Sequence, residues 1–459
     1  MQEMEEQEEE QDRFYSWRAR GETFRAASLC GDTSAATATC YGSLCDLRAP
    51  CIRIHKDRIT FAREGGEDME EVRGQREDVE MPKYGQGWLT IGDGEGSHQC
   101  NAQHAVSHFR GLPDHLPATL GLLEATNAVC VKRHGDVAEK GEEPDLVLLI
   151  VMRYEYVNLY HTMTDWHNTV EAIDYLFQGP SSSSTPPVQV VFLDAHPRGS
   201  LDEMWEKLTG RPPIFISQLS RQTFERVIFV TPGYESPVTL SWKRNARIEQ
   251  LPSPAMLSFQ KFFLLSCGLD PNTQAGKILT AFWATQASRA ELWDPSSRTS
   301  DCTTPDPKCL ETRWVTVVFR GNYLPHPRSS GSISRRISNE QEVISDISSA
   351  IAIFPGWEVR GVHLEAASIE TQVALFHSTD VLIGVHGAAL SHTLFMRRGT
   401  RLLELLPPGF NRPHFVPMAE SVGVTHIKYE LHEGHGDGPY QVDAQRLADK
   451  VLSTIREMI

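Results

Sequence analysis

Residues 379–404 read TDVLIGVHGAALSHTLFMRRGTRLLE. A short apolar run leads into the small-residue turn His386-Gly387-Ala388-Ala389, a predicted helix follows, and a second apolar run contains Glu404. Strand, turn, helix and strand form the unit that brings helix N-terminal N–H groups to a phosphate. An ordinary β-α-β crossover, in which the glycines serve only the tight turn, fits the same pattern. The rest of the sequence therefore has to distinguish an anion site from a plain crossover.

Apolar strand-like runs and helical runs alternate from residue 145 to the C-terminus. Such alternation predicts parallel sheets, with ligands beyond the carboxyl ends of the strands. The predicted strands are Val147–Met152, Val188–Leu193, Val227–Val230, Trp314–Phe319, Trp357–Leu364, Leu402–Leu406 and His426–Leu431. The predicted helices are Leu159–Phe177, Leu201–Leu208, Asn339–Ile353, Ile369–His377, Phe415–Ser421 and Val442–Met458.

Composition divides the chain into five parts. Residues 1–25 form an acidic leader predicted to be disordered, and residues 26–144 an irregular region with short β-like pieces. Residues 145–289 and 313–459 are two predicted Rossmann-like domains, joined by a polar, proline-rich linker over residues 290–312. The predicted fold class is therefore α/β, with two Rossmann-like domains facing each other across a cleft.

Charge and cysteine content exclude several classes of protein. Lys and Arg number 44 against 60 Asp and Glu, a net charge of −16, which argues against nucleic-acid binding. The 9 cysteines include no C-x-x-C pair, which disfavours a zinc ribbon or a thioredoxin-like site. The acidic opening MQEMEEQEEE is unlike a secretory signal, and the apolar run Leu146–Met152 is too short to span a bilayer. We expect a soluble chain that contacts a membrane only if an anchor precedes it.

Two acidic positions follow predicted strands in the first Rossmann-like domain. His161 and Asp165 are four residues apart and lie on one helical face, where either could serve as a general base. A helix-surface ion pair explains the same spacing. Asp194 ends the strand Val188–Leu193 and is a second candidate base, with capping of the following helix as the alternative.

Arginines cluster after the first strand of the second domain. Arg320 and Arg328 fall in RGNYLPHPR (residues 320–328), and Arg335, Arg336 and Asn339 follow. Guanidinium groups bind phosphate in bidentate fashion, so a basic cluster in an acidic protein predicts an anion site. The chain has no D-x-D, G-x-G-x-x-G, G-x-x-x-x-G-K-[ST] or G-x-S-x-G motif. A metal-bridged donor site, a dinucleotide site, a triphosphate loop and a serine hydrolase are all disfavoured.

Seven segments resemble glycosyltransferase family 61, and several resemble its plant N-glycan core β-1,2-xylosyltransferase branch. They run in order through roughly two thirds of the chain. They are RYEYVNLYHTMTDW (153–166), VVFLDAHPRGSLDEMW (190–205), TPGYES (231–236), VVFRGNYLPHPR (317–328), SRRISNEQEV (334–343), DVLIGVHGAALSH (380–392) and NRPHF (411–415). The resemblance implies a GT-B fold and an inverting reaction. It also implies a UDP-xylose donor, an N-glycan or glycoprotein acceptor, and a place in the Golgi lumen.

The expected site residues follow from that reaction. Arg320, Arg328 and the N–H groups of Gly387, Ala388 and Ala389 would hold the diphosphate without a metal ion or other cofactor, with Arg335 and Asn339 nearby. His386 would hydrogen-bond phosphate or sugar, and Glu404 would accept hydrogen bonds from the ribose. Asp165 or His161 would be the base, with Asp194 in reserve.

Three other functions fit parts of the pattern. One is a different family 61 transferase that uses UDP-GlcNAc or UDP-arabinose, or a protein or xylan acceptor. Another is a catalytically silent protein that binds UDP or glycans. A third, a nicotinamide-dependent oxidoreductase, shares the double Rossmann-like frame but needs the dinucleotide motif that the chain lacks.

Overall fold

The fold is described from a computed structural model. It describes residues 27–28, 37–41, 44–60, 83–85, 88–92, 124–125, 146–153, 156–177, 186–194, 196–220, 223–230, 233, 236, 251–269, 312–321, 335–365, 367–410, 412–432 and 438–459. The chain forms two compact units, Met1–Leu240 and Ser241–Ile459. The predicted leader and residues 290–311 of the predicted linker lie outside the described residues. Within the described ranges, no helix combines the length and the apolar composition that crossing a bilayer requires.

The first unit contains eleven described strands and two described α-helices. The strands are β1 (Ala27–Ser28), β2 (Thr37–Tyr41), β3 (Leu44–Ile54), β4 (Ile59–Thr60), β5 (Lys83–Tyr84), β6 (Leu89–Gly92), β7 (Glu124–Ala125), β8 (Val147–Val151), β9 (Val188–Phe192), β10 (Ile214–Phe215) and β11 (Thr223–Phe229). The helices are α1 (Leu159–Phe177) and α2 (Asp202–Thr209).

The second unit contains five described strands, five described α-helices and a 3₁₀ segment. The strands are β12 (Arg313–Phe319), β13 (Trp357–His363), β14 (Thr379–Val385), β15 (Arg401–Leu406) and β16 (Thr425–Glu430). The helices are α3 (Pro254–Ser266), α4 (Glu340–Ile351), α5 (Ile369–His377), α6 (Phe415–Ser421) and α7 (Ala444–Arg456), and the 3₁₀ segment is Ala388–Phe395.

The sheet of the first unit is parallel on one side and antiparallel on the other. Strands β11, β8, β9 and β10 are neighbours in that order and run parallel. Strand β3 pairs antiparallel with β11 and with β2 and β6. The prediction of a wholly parallel sheet is therefore wrong for this unit. Residues 26–144 were expected to form a separate region, but β3 and β6 extend the same sheet.

The sheet of the second unit is entirely parallel, in the order β13-β12-β14-β15-β16. Every residue of β14 is buried, as in parallel sheets covered on both faces. Helix α7 buries Leu447, Val451 and Ile455, which recur every four residues and so share one face. Each described unit has a parallel Rossmann-like layer, which confirms that part of the predicted fold.

Two elements differ from the sequence-based expectation. The turn at Gly387 leads into a 3₁₀ segment instead of an α-helix. There the His392 ring donates to the carbonyl of Ala389 at 2.8 Å and the Thr393 hydroxyl to that of Leu390 at 2.7 Å. Both bonds reach back three residues, the spacing of a 3₁₀ turn.

The other difference is helix α3, which was not predicted from the sequence. We expected the first domain to extend to residue 289, but the units divide after Leu240 and α3 packs on the second. The side-chain amide of Gln260 donates to the carbonyls of Leu394 and Met396 at 2.7 and 2.8 Å. The rings of Phe263 and Phe395 also stack, with centroids 4.5 Å apart.

Candidate active site

The strand order of the second unit locates its ligand site. Chain order reverses between β12 and β14, and ligands of open α/β sheets bind beyond the strand ends at such a switch point. Arg320 directly follows β12, and Gly387 lies just beyond β14. A Cβ added to Gly387 would lie 1.8 Å from Nη2 of Arg320, so the guanidinium rests against the turn. The structure thus brings together the arginine and the glycine turn that the sequence predicted as an anion site.

A second arginine holds the same turn. Nη1 of Arg335 donates to the backbone carbonyl of His386 at 2.9 Å. Arg335 has a φ of 60°, a left-handed conformation that is uncommon for residues other than glycine and is often found at functional sites. Ala388 and Ala389 are half-buried and begin the 3₁₀ segment. Arg328 lies outside the described residues.

Glu404 is buried between two histidines, an arrangement the sequence did not predict. One carboxylate oxygen bonds Nδ1 of His386, and the other accepts from Nε2 of His426 at 2.6 Å. Parallel pairing places Glu404 opposite Gly384, two residues before the turn. We expected Glu404 to accept from ribose; in the structure it is 1% exposed, and each of its oxygens accepts a hydrogen bond from a histidine. The residue instead fixes the imidazole of His386.

These histidines determine the protonation of Glu404. Burial alone would raise the pKa of the carboxyl group, yet the hydrogen bonds from His386 and His426 outweigh burial and lower the pKa below its ordinary value. Glu404 is therefore ionised at neutral pH. A buried carboxylate here offsets part of the positive charge of the neighbouring arginines.

An aromatic surround encloses the imidazole of His386, which is only 4% exposed. The ring centroids of Phe410 and Phe415 lie 4.4 and 5.0 Å from that of His386. Nδ1 of His414 lies 3.4 Å from Nε2 of His386. The segment NRPHF (residues 411–415) carried a family resemblance in the sequence, but none of its residues was predicted to belong to the site. The available signal was His414 itself, which lies between Pro413 and Phe415.

Asn339 has a different surrounding from the one predicted. Its side-chain amide donates to the carbonyl of Val442 at 2.7 Å, and its oxygen accepts from the Val442 N–H at 3.0 Å. The amide also donates to Glu342 at 2.8 Å. Asn339 thus ties the start of α4 to the segment before α7, which is a structural task.

A further ionisable pair lies at the end of β13. Nε2 of His363 is 3.1 Å from Glu340, and that hydrogen bond is the main cause that raises the pKa of His363. Glu365 lies 3.7 Å from the other ring nitrogen. Its carboxylate also lies so close to Gly321 that a Cβ there would meet Oε1 at 1.7 Å. This pair braces the segment that carries Arg320.

The first unit has its own switch point, between β8 and β11. Asp165 lies in α1, which follows β8, and Gly233 lies in the loop after β11. A Cβ on Gly233 would lie 2.3 Å from Oδ1 of Asp165 and 2.4 Å from the hydroxyl of Thr164. Asp165 is 1% exposed, and the half-buried His161 lies one turn earlier on the same helix. The structure therefore puts the first-choice base at the carboxyl ends of the two strands that define this point.

Asp194 instead belongs to a buried ion pair. One of its oxygens lies 2.7 Å from Nη2 of Arg153, and both side chains are 0% exposed. The carboxylate also accepts from the backbone N–H groups of Arg153 and His196 at 2.9 and 3.0 Å. A buried carboxylate whose oxygens accept from these partners is not exposed to an acceptor hydroxyl. Asp194 is thus better explained as the group that organises the ends of β8 and β9.

The described residues contain no group of three or more His, Cys, Asp or Glu side chains placed to hold a metal ion.

Comparison with protein families gives one domain match. Residues 248–403 match the family described as Glycosyltransferase 61. A β-1,2-xylosyltransferase of Arabidopsis thaliana is 26% identical over 446 residues, which are 86% of this chain and 74% of the relative. A β-1,2-xylosyltransferase of Oryza sativa subsp. japonica is 26% identical over 382 residues, 79% of this chain and 63% of the relative. The family match and these two relatives confirm the resemblance to glycosyltransferase family 61 that the sequence shows.

Two solved structures are similar to this chain at low sequence identity. A family 9 glycosyl transferase of Veillonella parvula matches with a TM-score of 0.32 and 10% identity, covering 68% of this chain and 97% of its own. An E. coli ADP-heptose heptosyltransferase II matches with a TM-score of 0.28 and 10% identity, covering 68% and 98%.

Proposed function

We propose that this protein is a family 61 glycosyltransferase that moves xylose from UDP-xylose to the core β-mannose of an N-glycan, forming a β-1,2 linkage with inversion. The observation that carries the donor half is the guanidinium of Arg320 against Gly387, at the switch point of a parallel sheet. The choice of xylose and of the acceptor rests on the similarity to two plant β-1,2-xylosyltransferases.

The reaction is a single displacement. An acceptor hydroxyl oxygen forms a bond to the anomeric carbon while the bond from that carbon to the phosphate oxygen breaks. UDP leaves with the bonding electron pair, and a base takes the hydroxyl proton. Positive groups must stabilise the charge that builds on the β-phosphate, and loss of one such group costs roughly 3–4 kcal/mol.

We assign binding of the UDP leaving group to the second unit. Arg320, Arg328 and Arg335, with the N–H groups of Gly387, Ala388 and Ala389, would stabilise the diphosphate without a divalent ion. Arg320→Ala should weaken UDP binding about tenfold or more in calorimetry, because a bidentate charged contact is lost. An unchanged affinity would remove Arg320 from the site. Turnover in a chelator should equal turnover in added Mg²⁺; loss in the chelator would contradict the metal-free assignment.

We assign the base to Asp165, with His161 as the alternative. Its support is the position of Asp165 against Gly233 at the switch point of the first unit. Asp165→Asn keeps the shape and removes the basic site, so it should lower kcat by ~10²–10⁴-fold and leave UDP affinity unchanged. His161→Ala tests the alternative. Near-normal turnover in both variants would remove this helix from the chemistry.

One experiment tests the function as a whole. The protein is incubated with UDP-xylose and a GlcNAc-terminated N-glycan, and the product mass is read for the addition of one pentose. Parallel reactions with UDP-GlcNAc and UDP-arabinose, and with peptide or xylan acceptors, identify a different transferase of this family. Tight UDP binding with no transfer and no donor hydrolysis would indicate a silent binding protein.

We propose the Golgi lumen as the place of action. The structural support is Cys51 of β3, which is disulfide-bonded. Disulfides persist in secretory compartments and are rare in the cytosol.

A further inference from the structure

The imidazole of His386 is poorly placed to meet a ligand itself. It is 4% exposed and lies against Phe410 and Phe415. Nδ1 of the ring bonds Glu404, and Nε2 faces His414 at 3.4 Å. Both ring nitrogens are therefore engaged inside the protein. His414, by contrast, is half-buried and lies at the outer end of the network.

The hydrogen bonds set a direction along the network. Glu404 is an ionised acceptor, so Nδ1 of His386 carries a proton and donates it. When His386 is neutral, its Nε2 is then an acceptor, and Nδ1 of His414 is the donor to it. A carboxylate that orients one imidazole in this way makes the next imidazole more basic. The negative charge of Glu404 therefore favours a protonated His414.

The network also adjoins the predicted anion site. His386 immediately precedes Gly387, against which the guanidinium of Arg320 rests. Arg335 donates to the backbone carbonyl of the same histidine. An imidazolium at position 414 would thus stand beside the turn that the proposed function assigns to the diphosphate.

We propose that His414, as an imidazolium, contacts the diphosphate of the donor, and that Glu404 acts on it through the positioning residue His386. The inference rests on the proposed function, because it takes the diphosphate as the ligand of this turn. It replaces the expectation that His386 itself would bond phosphate or sugar.

Several charged groups face this network. Glu404 favours protonation of His414, while Arg320, Arg335 and Arg412 oppose it, Arg412 lying over the ring of Phe410 at 5.7 Å. His426 shares the carboxylate of Glu404. A bound diphosphate adds negative charge that favours the imidazolium, so donor binding should be accompanied by proton uptake near neutral pH.

Donor affinity as a function of pH tests the proposal. UDP-xylose is the probe, since its diphosphate diester keeps a constant charge where histidine titrates. Calorimetry from about pH 5.5 to about pH 8.5 should show wild-type affinity falling by about tenfold as His414 loses its proton. In His414→Gln the affinity should be weak at the acid end and flat with pH. In Glu404→Gln the fall should begin at lower pH.

The matched control is His432→Gln, which removes an exposed histidine after β16 and should leave the wild-type profile unchanged. A His414→Gln profile that follows the wild type would overturn the inference. If wild-type protein binds no UDP-xylose at any pH, the proposed function fails instead. Should His414→Gln misfold, the ¹⁵N titration of His414 in wild-type protein decides: donor binding should raise its pKa, and an unchanged pKa contradicts the proposal.

Discussion

Gly387 shows how one missing side chain makes room for a charged contact. Its φ of 167° is extended backbone that any residue adopts, so the glycine is required for space and not for conformation. The space is taken by the guanidinium of Arg320, 1.8 Å from where a Cβ would lie. The carboxylate of Glu365 against Gly321 is a second case of the same kind.

Gly387→Ala should therefore displace Arg320 without unfolding the protein. We expect UDP affinity to fall about tenfold or more, because the arginine loses its place beside the turn, while the melting temperature changes little. Calorimetry and thermal denaturation measure the two quantities. In the Arg320→Ala background the same glycine change should add almost nothing, since the two residues act through one contact. Additive losses would contradict this coupling.

The Glu404 carboxylate should make stability depend on acid. Its folded pKa lies below the ordinary value, so its contribution is present above the ordinary pKa of about 4.3 and is lost as pH falls through the lowered pKa. Near pH 7, Glu404→Gln should lower the free energy of unfolding by about 1.5–3 kcal/mol. Urea titrations should show the gap between wild type and variant closing under acid conditions. A gap independent of pH would disprove the assignment.

Some site residues were predictable and others were not, for a definite reason. Arg320, His386 and Gly387 follow the ends of strands, and Glu404 interrupts the apolar run of β15, so apolar runs reveal all four. His426 lies in β16, where only the register with β15 brings it within reach of Glu404. Which side chains meet across two strands depends on register and not on local pattern.

At the scale of elements, helix α3 supports the 3₁₀ segment that follows the turn at Gly387. A 3₁₀ segment of eight residues is longer than such helices usually run and has poor hydrogen-bond geometry by itself. The side-chain amide of Gln260, in α3, donates hydrogen bonds to the backbone carbonyls of Leu394, inside the segment, and Met396, directly after it.

Gln260→Ala should lower the free energy of unfolding by about 1–3 kcal/mol, because two carbonyls lose their donor. Ser258→Ala, an exposed change on the same helix, is the matched control and should stay within about 0.5 kcal/mol of wild type. Chemical denaturation measures both. Equal stability of the two variants would show that α3 does not support the segment through Gln260.

Helix α3 was not predicted from the sequence, whereas several other helices were. Helices α1, α5 and α6 have the predicted bounds, because their apolar residues repeat with helical spacing. Helix α3 has apolar residues on most of its surface, so its spacing was less distinctive. The short strands β2, β6 and β10 owe their existence to pairing partners distant in the chain.

At the scale of the whole molecule, two described cysteines differ in their bonding state. Cys51 is disulfide-bonded, whereas Cys267 is a buried thiol at the end of α3. Reduction of the Cys51 bridge should lower the free energy of unfolding by roughly 2–4 kcal/mol.

Peptide mapping with and without reductant should find Cys51 in a cross-linked peptide and Cys267 unlinked. Cys267→Ala should leave the response of the melting temperature to reductant unchanged. Cys51 recovered as a thiol from protein folded under oxidising conditions would contradict the bridge.

The two units differ in the direction of the strand that follows the switch point of each sheet. Beyond the switch point the second unit continues with the parallel strand β15, which delivers Glu404 toward the ligand edge. In the first unit β3 occupies that place and runs the opposite way, with Cys45 opposite Phe229. The described antiparallel strand of the first unit therefore cannot present a carboxylate in the way that β15 presents Glu404, so the two sheets offer different groups at this edge.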